Sequence, residues 1–166
     1  MSYVKSNLVP GETIIYETRL HWVVMLGHLA VGCLLLLLPA GLLFFYAENQ
    51  TAMNPGNLHV MEGGAALLLL AGVIVILVGT MRRNATEMAV TNRRVVIKTG
   101  LARRKTIEML LNKVESIEVN ETTLGRILGY GTIAVIGTGG TLEPFHNVAH
   151  PLQFRSQVQQ QIERLR

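Results

Sequence analysis

Few residues in this chain have the type and spacing that chemistry requires. Asp is absent, so acid–base work would fall to 11 Glu and to five His at 21, 28, 59, 146 and 150. His146 and His150 stand four apart, a spacing that on one helix face can hold zinc, but Pro151 opposes a shared helical face and no Cys or acidic residue flanks the pair. Ser2, Ser6, Ser116 and Ser156 lack the strand–turn–helix setting of an activated nucleophile. Gly137-Thr138-Gly139-Gly140-Thr141 has the composition of a phosphate-cradling loop. Such a loop leads from a strand into a helix N-terminus, whereas here Thr141 opens another strand and no Gly-Lys-Ser/Thr follows, so the segment is predicted to be a hairpin turn. Gly125, Gly129 and Gly131 likewise miss the GxGxxG spacing and suit close backbone packing. The expectation is a non-enzyme with no cofactor, no metal and no evident small-molecule substrate.

What remains is basic. Arg82-Arg83, Arg93-Arg94 with Lys98, and Arg103-Arg104-Lys105 are the candidate contacts to an anionic lipid surface or to a protein partner. Each cation close to such a surface contributes about 1 kcal/mol. The plainer reading is that Arg82 and Arg83 set membrane topology and the others are solvated turn residues. Nucleic acid is not an expected partner, because aromatic residues are few and the chain has a membrane anchor.

The anchor follows from the distribution of apolar residues. Mean hydropathy is +0.36, and all 15 Lys and Arg lie in 1–21 or 82–166. Gly64–Met81 is uncharged over a helical length of about 27 Å, enough for a bilayer core, where only helix satisfies the backbone. Trp22–Tyr46 is also uncharged and is bracketed by aromatic residues suited to the two interfaces. Cys33, His28 and Pro39 within it need no functional explanation, since a single thiol, an interfacial imidazole and a kink are each tolerated there. Residues 82–166 hold 13 basic and 7 acidic residues, whereas 47–63 holds only Glu48 and Glu62. The positive-inside rule therefore predicts a multi-pass membrane protein with both termini cytoplasmic, spans at 22–46 and 64–81, and an outward-facing loop at 47–63.

Beyond Arg83 the hydrophobic period shortens to two. Strands are predicted at 86–91, 94–99, 104–111, 114–120, 132–137 and 141–147. Thr13–Leu20 also alternates, with Ile14, Tyr16, Thr18 and Leu20 on one face, and is predicted to join the module formed by 82–166 from the far side of the membrane hairpin. Thr122–Gly129 reads as a short capped helix with apolar Leu124, Ile127 and Leu128. Pro151–Arg166 reads as an amphipathic helix placing Phe154, Val158, Ile162 and Leu165 on the sheet. The fold class is a membrane α-helical hairpin plus an all-β sandwich or barrel of about seven strands, closed by that C-terminal helix.

Val90-Thr91-Asn92-Arg93-Arg94, Gly100-Leu101, Lys113-Val114-Glu115-Ser116-Ile117, Leu124 to Thr132 and Pro151-Leu152-Gln153-Phe154-Arg155 follow in the order of a known family. In these motifs, and in the two preceding spans, the chain resembles the bacterial membrane-anchored pleckstrin-homology-like domain proteins. The resemblance implies the fold, the anchor and a binding surface, but no catalytic residue. It also implies an inner (plasma) membrane protein with the loop at 47–63 periplasmic. The expected function is a membrane-anchored binding or scaffolding module working through protein contacts or homo-oligomer formation. Anionic head-group binding, or a small transport or channel subunit using His28, is the alternative.

Overall fold

The computed structural model describes residues 3–48, 55–100, 104–141 and 144–165. Two units emerge, 24–81 and the combination of 1–23 with 82–166.

The first unit is a pair of helices, α2 (Val23–Glu48) and α3 (Pro55–Asn84). Both are long and apolar enough to cross a membrane. Helix α3 begins at Pro55, so part of the segment expected as a loop at 47–63 is helical; proline at a first helical position loses no hydrogen bond. The seam uses small residues. Ala65, Gly72 and Gly79 are buried at intervals of seven, and Gly32 is buried opposite them. A Cβ on Gly72 would stand 3.0 Å from Leu36 Cγ, and one on Gly79 would stand 2.7 Å from His28 Cβ, so glycine permits the close approach on which association in lipid depends.

The second unit contains a short helix α1 (Tyr3–Ser6), strands β1 (Ile14–Arg19), β2 (Glu87–Thr91), β3 (Arg94–Thr99), β4 (Lys105–Leu110), β5 (Val114–Asn120), β6 (Tyr130–Gly137), β7 (Gly140–Thr141) and β8 (Phe145–Ala149), and helices α4 (Thr123–Leu128) and α5 (Pro151–Arg164). One antiparallel sheet runs β1-β2-β3-β4; the other is built on β6, which pairs with β5, β7 and β8. The region expected as one strand at 141–147 is divided between β7 and β8, with part of it outside the described residues.

Strand β1 lies before the long helices in sequence yet pairs with β2, Arg19 opposite Glu87. It also reaches the second sheet: Thr18 Oγ1 donates to the Ala149 carbonyl at 2.7 Å, and the Tyr16 ring meets Phe154 of α5 edge-on at 6.5 Å. A bulge between Ile14 and Tyr16 reverses the facing of the residues before it. Tyr16 therefore packs on the main core, whereas Ile14 joins Val4, Leu8, Ala89 and Val96 on the opposite face of the sheet. This second cluster explains why β2 is buried almost throughout, since the segment beginning at α1 covers the face that an alternating strand would show to water.

The main core contains Met88, Val90, Val95, Ile97, Leu111, Ile133, Val135 and Val148, closed by Phe154 and Val158 of α5. The C-terminal helix ends at Arg164, and Leu165 is 57 % exposed while Gln161 is 5 % exposed. The buried stripe therefore runs Phe154, Val158, Gln161, Ile162, without Leu165. Phe154→Ala is expected to destabilise the full-length protein by about 4 kcal/mol and Leu165→Ala by less than about 0.5 kcal/mol. Denaturant unfolding in detergent checks both, and similar losses would contradict this assignment of the helix face.

Candidate functional site

The candidate cations divide into two groups at opposite ends of the first sheet. In β3, Arg94 and Lys98 lie near opposite ends of a six-residue strand, about 13 Å apart along it. Register places Lys98 opposite Glu87, at the end where β1 finishes and β2 begins, and Thr99 opposite Lys105. Lys98, Arg104 and Lys105 thus share the end at which the chain leaves for α2 and returns from α3. Arg93 and Arg94 stand at the other end, and Arg103 lies outside the described residues.

At that other end Arg94 is committed to an internal clamp. Its guanidinium donates to both carboxylate oxygens of Glu12, at 2.9 and 2.8 Å, to Glu108 at 2.6 Å and to the Asn7 carbonyl at 2.8 Å. The Glu12 side chain is wholly buried and also accepts from Thr91 Oγ1 at 2.7 Å and from the Val9 amide at 2.9 Å. Burial alone would raise the Glu12 pKa, but the Arg94 hydrogen bonds and charge, with those from Val9 and Thr91, hold it below the usual carboxylate value. Asn92 completes the clamp: its side-chain oxygen accepts from the Thr13 amide at 3.0 Å and its side-chain nitrogen donates to the Gly11 carbonyl at 3.2 Å. Thr91-Asn92-Arg93-Arg94 is therefore a turn that grips the segment before β1. Arg93 remains exposed on it.

At the near end Lys98 is also engaged, 3.9 Å from Glu87 and 5.3 Å from the centre of the Tyr3 ring. Glu87 accepts from the Tyr3 amide at 2.8 Å, so the same carboxylate caps α1. Arg83 Nε donates to the Leu20 carbonyl at 3.2 Å, tying the end of α3 to the end of β1. Arg82 and Arg104 are exposed.

Histidine is used where sequence spacing gave no sign of it. His21 is buried, stacks on Tyr130 at 5.3 Å, leans on Trp22 at 5.3 Å and accepts from the Val23 amide through Nδ1 at 3.3 Å. Burial lowers its pKa, the nearby His150 and Arg83 lower it further, and a hydrogen bond with the Leu128 backbone partly opposes them. His146 Nδ1 contacts Thr132 Oγ1 at 3.1 Å. Among the described residues no group of three His, Cys or Glu is placed to hold a metal ion.

The chain forms two antiparallel sheets capped by a C-terminal helix, with a membrane-length helical pair inserted after the first strand. Residues 23–162 match the pattern of the family described as the bacterial PH domain. The chain belongs to that family. In this bacterial PH domain protein the match takes in both long helices and β2 to β8, while β1 and the clamped segment precede it. No match was found among curated proteins or among solved structures.

Two measurements probe these contacts. Arg94→Met strands the buried Glu12 carboxylate and is expected to cost about 3 kcal/mol, whereas Arg93→Met on the same turn costs less than about 0.5 kcal/mol. Denaturant unfolding at neutral pH separates them. For His21 the folded pKa lies below the unfolded value of about 6.5, so on acidification the unfolded chain takes up a proton that the folded chain resists. Stability is accordingly expected to fall from about pH 7 towards pH 5, and His21→Phe should flatten that slope; an unchanged slope would remove His21 as its source.

Proposed function

We propose that this bacterial PH domain protein is a non-enzymatic binding module, anchored in the inner membrane by α2 and α3, that makes protein contacts at the membrane surface. The observation carrying this reading is the edge of the first sheet. Strand β4 ends the β1-β2-β3-β4 order, and its final residue, Leu110, is 54 % exposed. A sheet edge offers backbone donors and acceptors to an added strand, and a neighbouring apolar side chain can supply selectivity. A second copy of the chain or a different membrane-complex subunit would satisfy such an edge.

The polar side chains support the same reading. Arg94, Glu12, Glu108 and Asn92 hold the fold together, and Lys98 with Glu87 holds α1. The alternative of transport through the hairpin is weaker, because His28 packs over Gly79 and the depression between the helices is lined by Pro39, Leu42, Leu43, Met61 and other apolar residues.

A photo-crosslinking residue at Leu110 of the full-length protein, activated in native membranes, is expected to give an adduct of discrete mass. A homo-oligomer yields twice the chain mass and another subunit a different sum. Thr123, exposed on α4, serves as the comparison position. Absence of any adduct at Leu110 while Thr123 gives one would displace the contact from β4.

A further inference from the structure

Helix α4 has its large and small residues on the reverse of the sides that a water-facing helix would use. Leu124, Ile127 and Leu128 occupy positions i, i+3 and i+4, one continuous face, and are 65 %, 74 % and 42 % exposed. Gly125 is the buried residue of the helix. Substitution explains the constraint: a Cβ there would run into the Tyr130 carbonyl and the Thr122 hydroxyl, so only glycine lets α4 sit this tightly on β6. The helix is fixed at both ends, by Thr122 Oγ1 accepting from the Gly125 amide at 3.0 Å and by Gly129 in the left-handed conformation, with φ of 79°. Its apolar face cannot turn inward.

The location of that face identifies what covers it. His21, the second residue before α2, stacks on Tyr130, two residues beyond α4, and meets the backbone of Leu128. Leu20 bridges to Val148, and the His21 amide donates to the Asn147 carbonyl at 2.7 Å. The residues through which the chain enters α2 thus pack against the C-terminal end of α4 and the start of β6, and Trp22 among them is itself 44 % exposed. Arg126 is exposed on α4 itself, sharing a depression with Glu121 and Leu152, and Arg83, next to exposed Arg82, donates to the Leu20 carbonyl just before His21. Exposed apolar side chains with an Arg on the same short helix, next to the residues that lead into α2, match the boundary between anionic head groups and acyl chains.

We infer that Leu124, Ile127 and Leu128 insert into the interface of the leaflet that α2 enters, making α4 a third, shallow membrane contact beside the two long helices. This rests on the reading of α2 and α3 as membrane spans, and it deepens that reading by assigning the domain a lipid-facing end. The occupant is the bilayer itself, and the β4 edge remains outside it for protein contacts.

The test uses the full-length protein in vesicles of phosphatidylethanolamine and phosphatidylglycerol. An environment-sensitive fluorophore is attached at Ile127→Cys, and separately at Leu124→Cys, in a Cys33→Ala background. Thr138, exposed beyond the far end of β6 and about 25 Å along the strand from Tyr130, receives the comparison label as Thr138→Cys. Lipids bearing a nitroxide near the head group are expected to remove most of the emission at 127 and 124 and to leave 138 nearly unchanged, with the 127 label blue-shifted relative to 138. A 127 label quenched freely by aqueous iodide but not by nitroxide lipid is in water, and one shielded from both is covered by protein; either result overturns the inference. Equal nitroxide quenching at 127 and 138 also overturns it, since no particular end would then face lipid. Carbonate washing separates the two readings: a chain that stays with the vesicles while 127 remains unquenched defeats only the α4 contact, whereas a chain that washes off defeats the anchor and the contact with it.

Discussion

Antiparallel pairing of β1 with β2 is the constraint on which the rest of the domain depends. The paired residues Arg19 and Glu87 are 68 positions apart, and between them lies the whole helical pair. Adjacent strands are separated by about 4.8 Å, so the strand leading to α2 and the strand following α3 start from neighbouring places in one sheet. Arg83, bonded to the Leu20 carbonyl, holds the returning chain to that geometry. Without β1 the sheet would lose an edge strand, Tyr16 from the core and Thr18 from its bond across to Ala149.

The buried charge at the other end serves the same pairing. Glu12 and Arg94 are far apart in sequence but bring the approach to β1 onto the β2–β3 turn, where Asn92 binds the backbone on both sides of Glu12. Apolar contacts alone would let a short terminal segment slide, whereas a bidentate carboxylate–guanidinium pair has one satisfactory register. Val4 then covers Ala89 and Val96, and Glu87 secures α1. Polar recognition selects the position and apolar burial supplies much of the attraction.

The sequence made the period-two strands, the two apolar runs and the C-terminal helix legible because each follows from local spacing. Thr122 and Gly129 likewise marked α4 through capping chemistry that involves only near neighbours. The uses of Glu12, His21 and Arg94 were not legible, since each depends on a residue brought close by the fold. Arg94 had the composition of a surface cation and became the half-buried partner of buried Glu12; Leu165 continued the helical pattern but fell beyond the reach of the core. The bulge at β1 separated Ile14 from Tyr16 even though strict alternation placed them together. Local pattern identified elements well, and long-range pairing decided what their polar residues do.

The interruption of the sheet also imposes an order on biogenesis. Strand β1 leaves the ribosome before its partner exists, and at about 5–20 residues per second the intervening chain takes roughly 3–14 s to make. During that interval Tyr16, Ile14 and the clamped segment have no β2 against which to pack. Completion of the first sheet therefore waits for both long helices to be synthesised. Under the proposed anchoring, a polypeptide in which α3 did not re-cross would hold β1 and β2 on opposite sides of the bilayer. Under that anchoring, insertion of the two helices and pairing of β1 with β2 are one folding event, and a topological error would leave both strands without their partner.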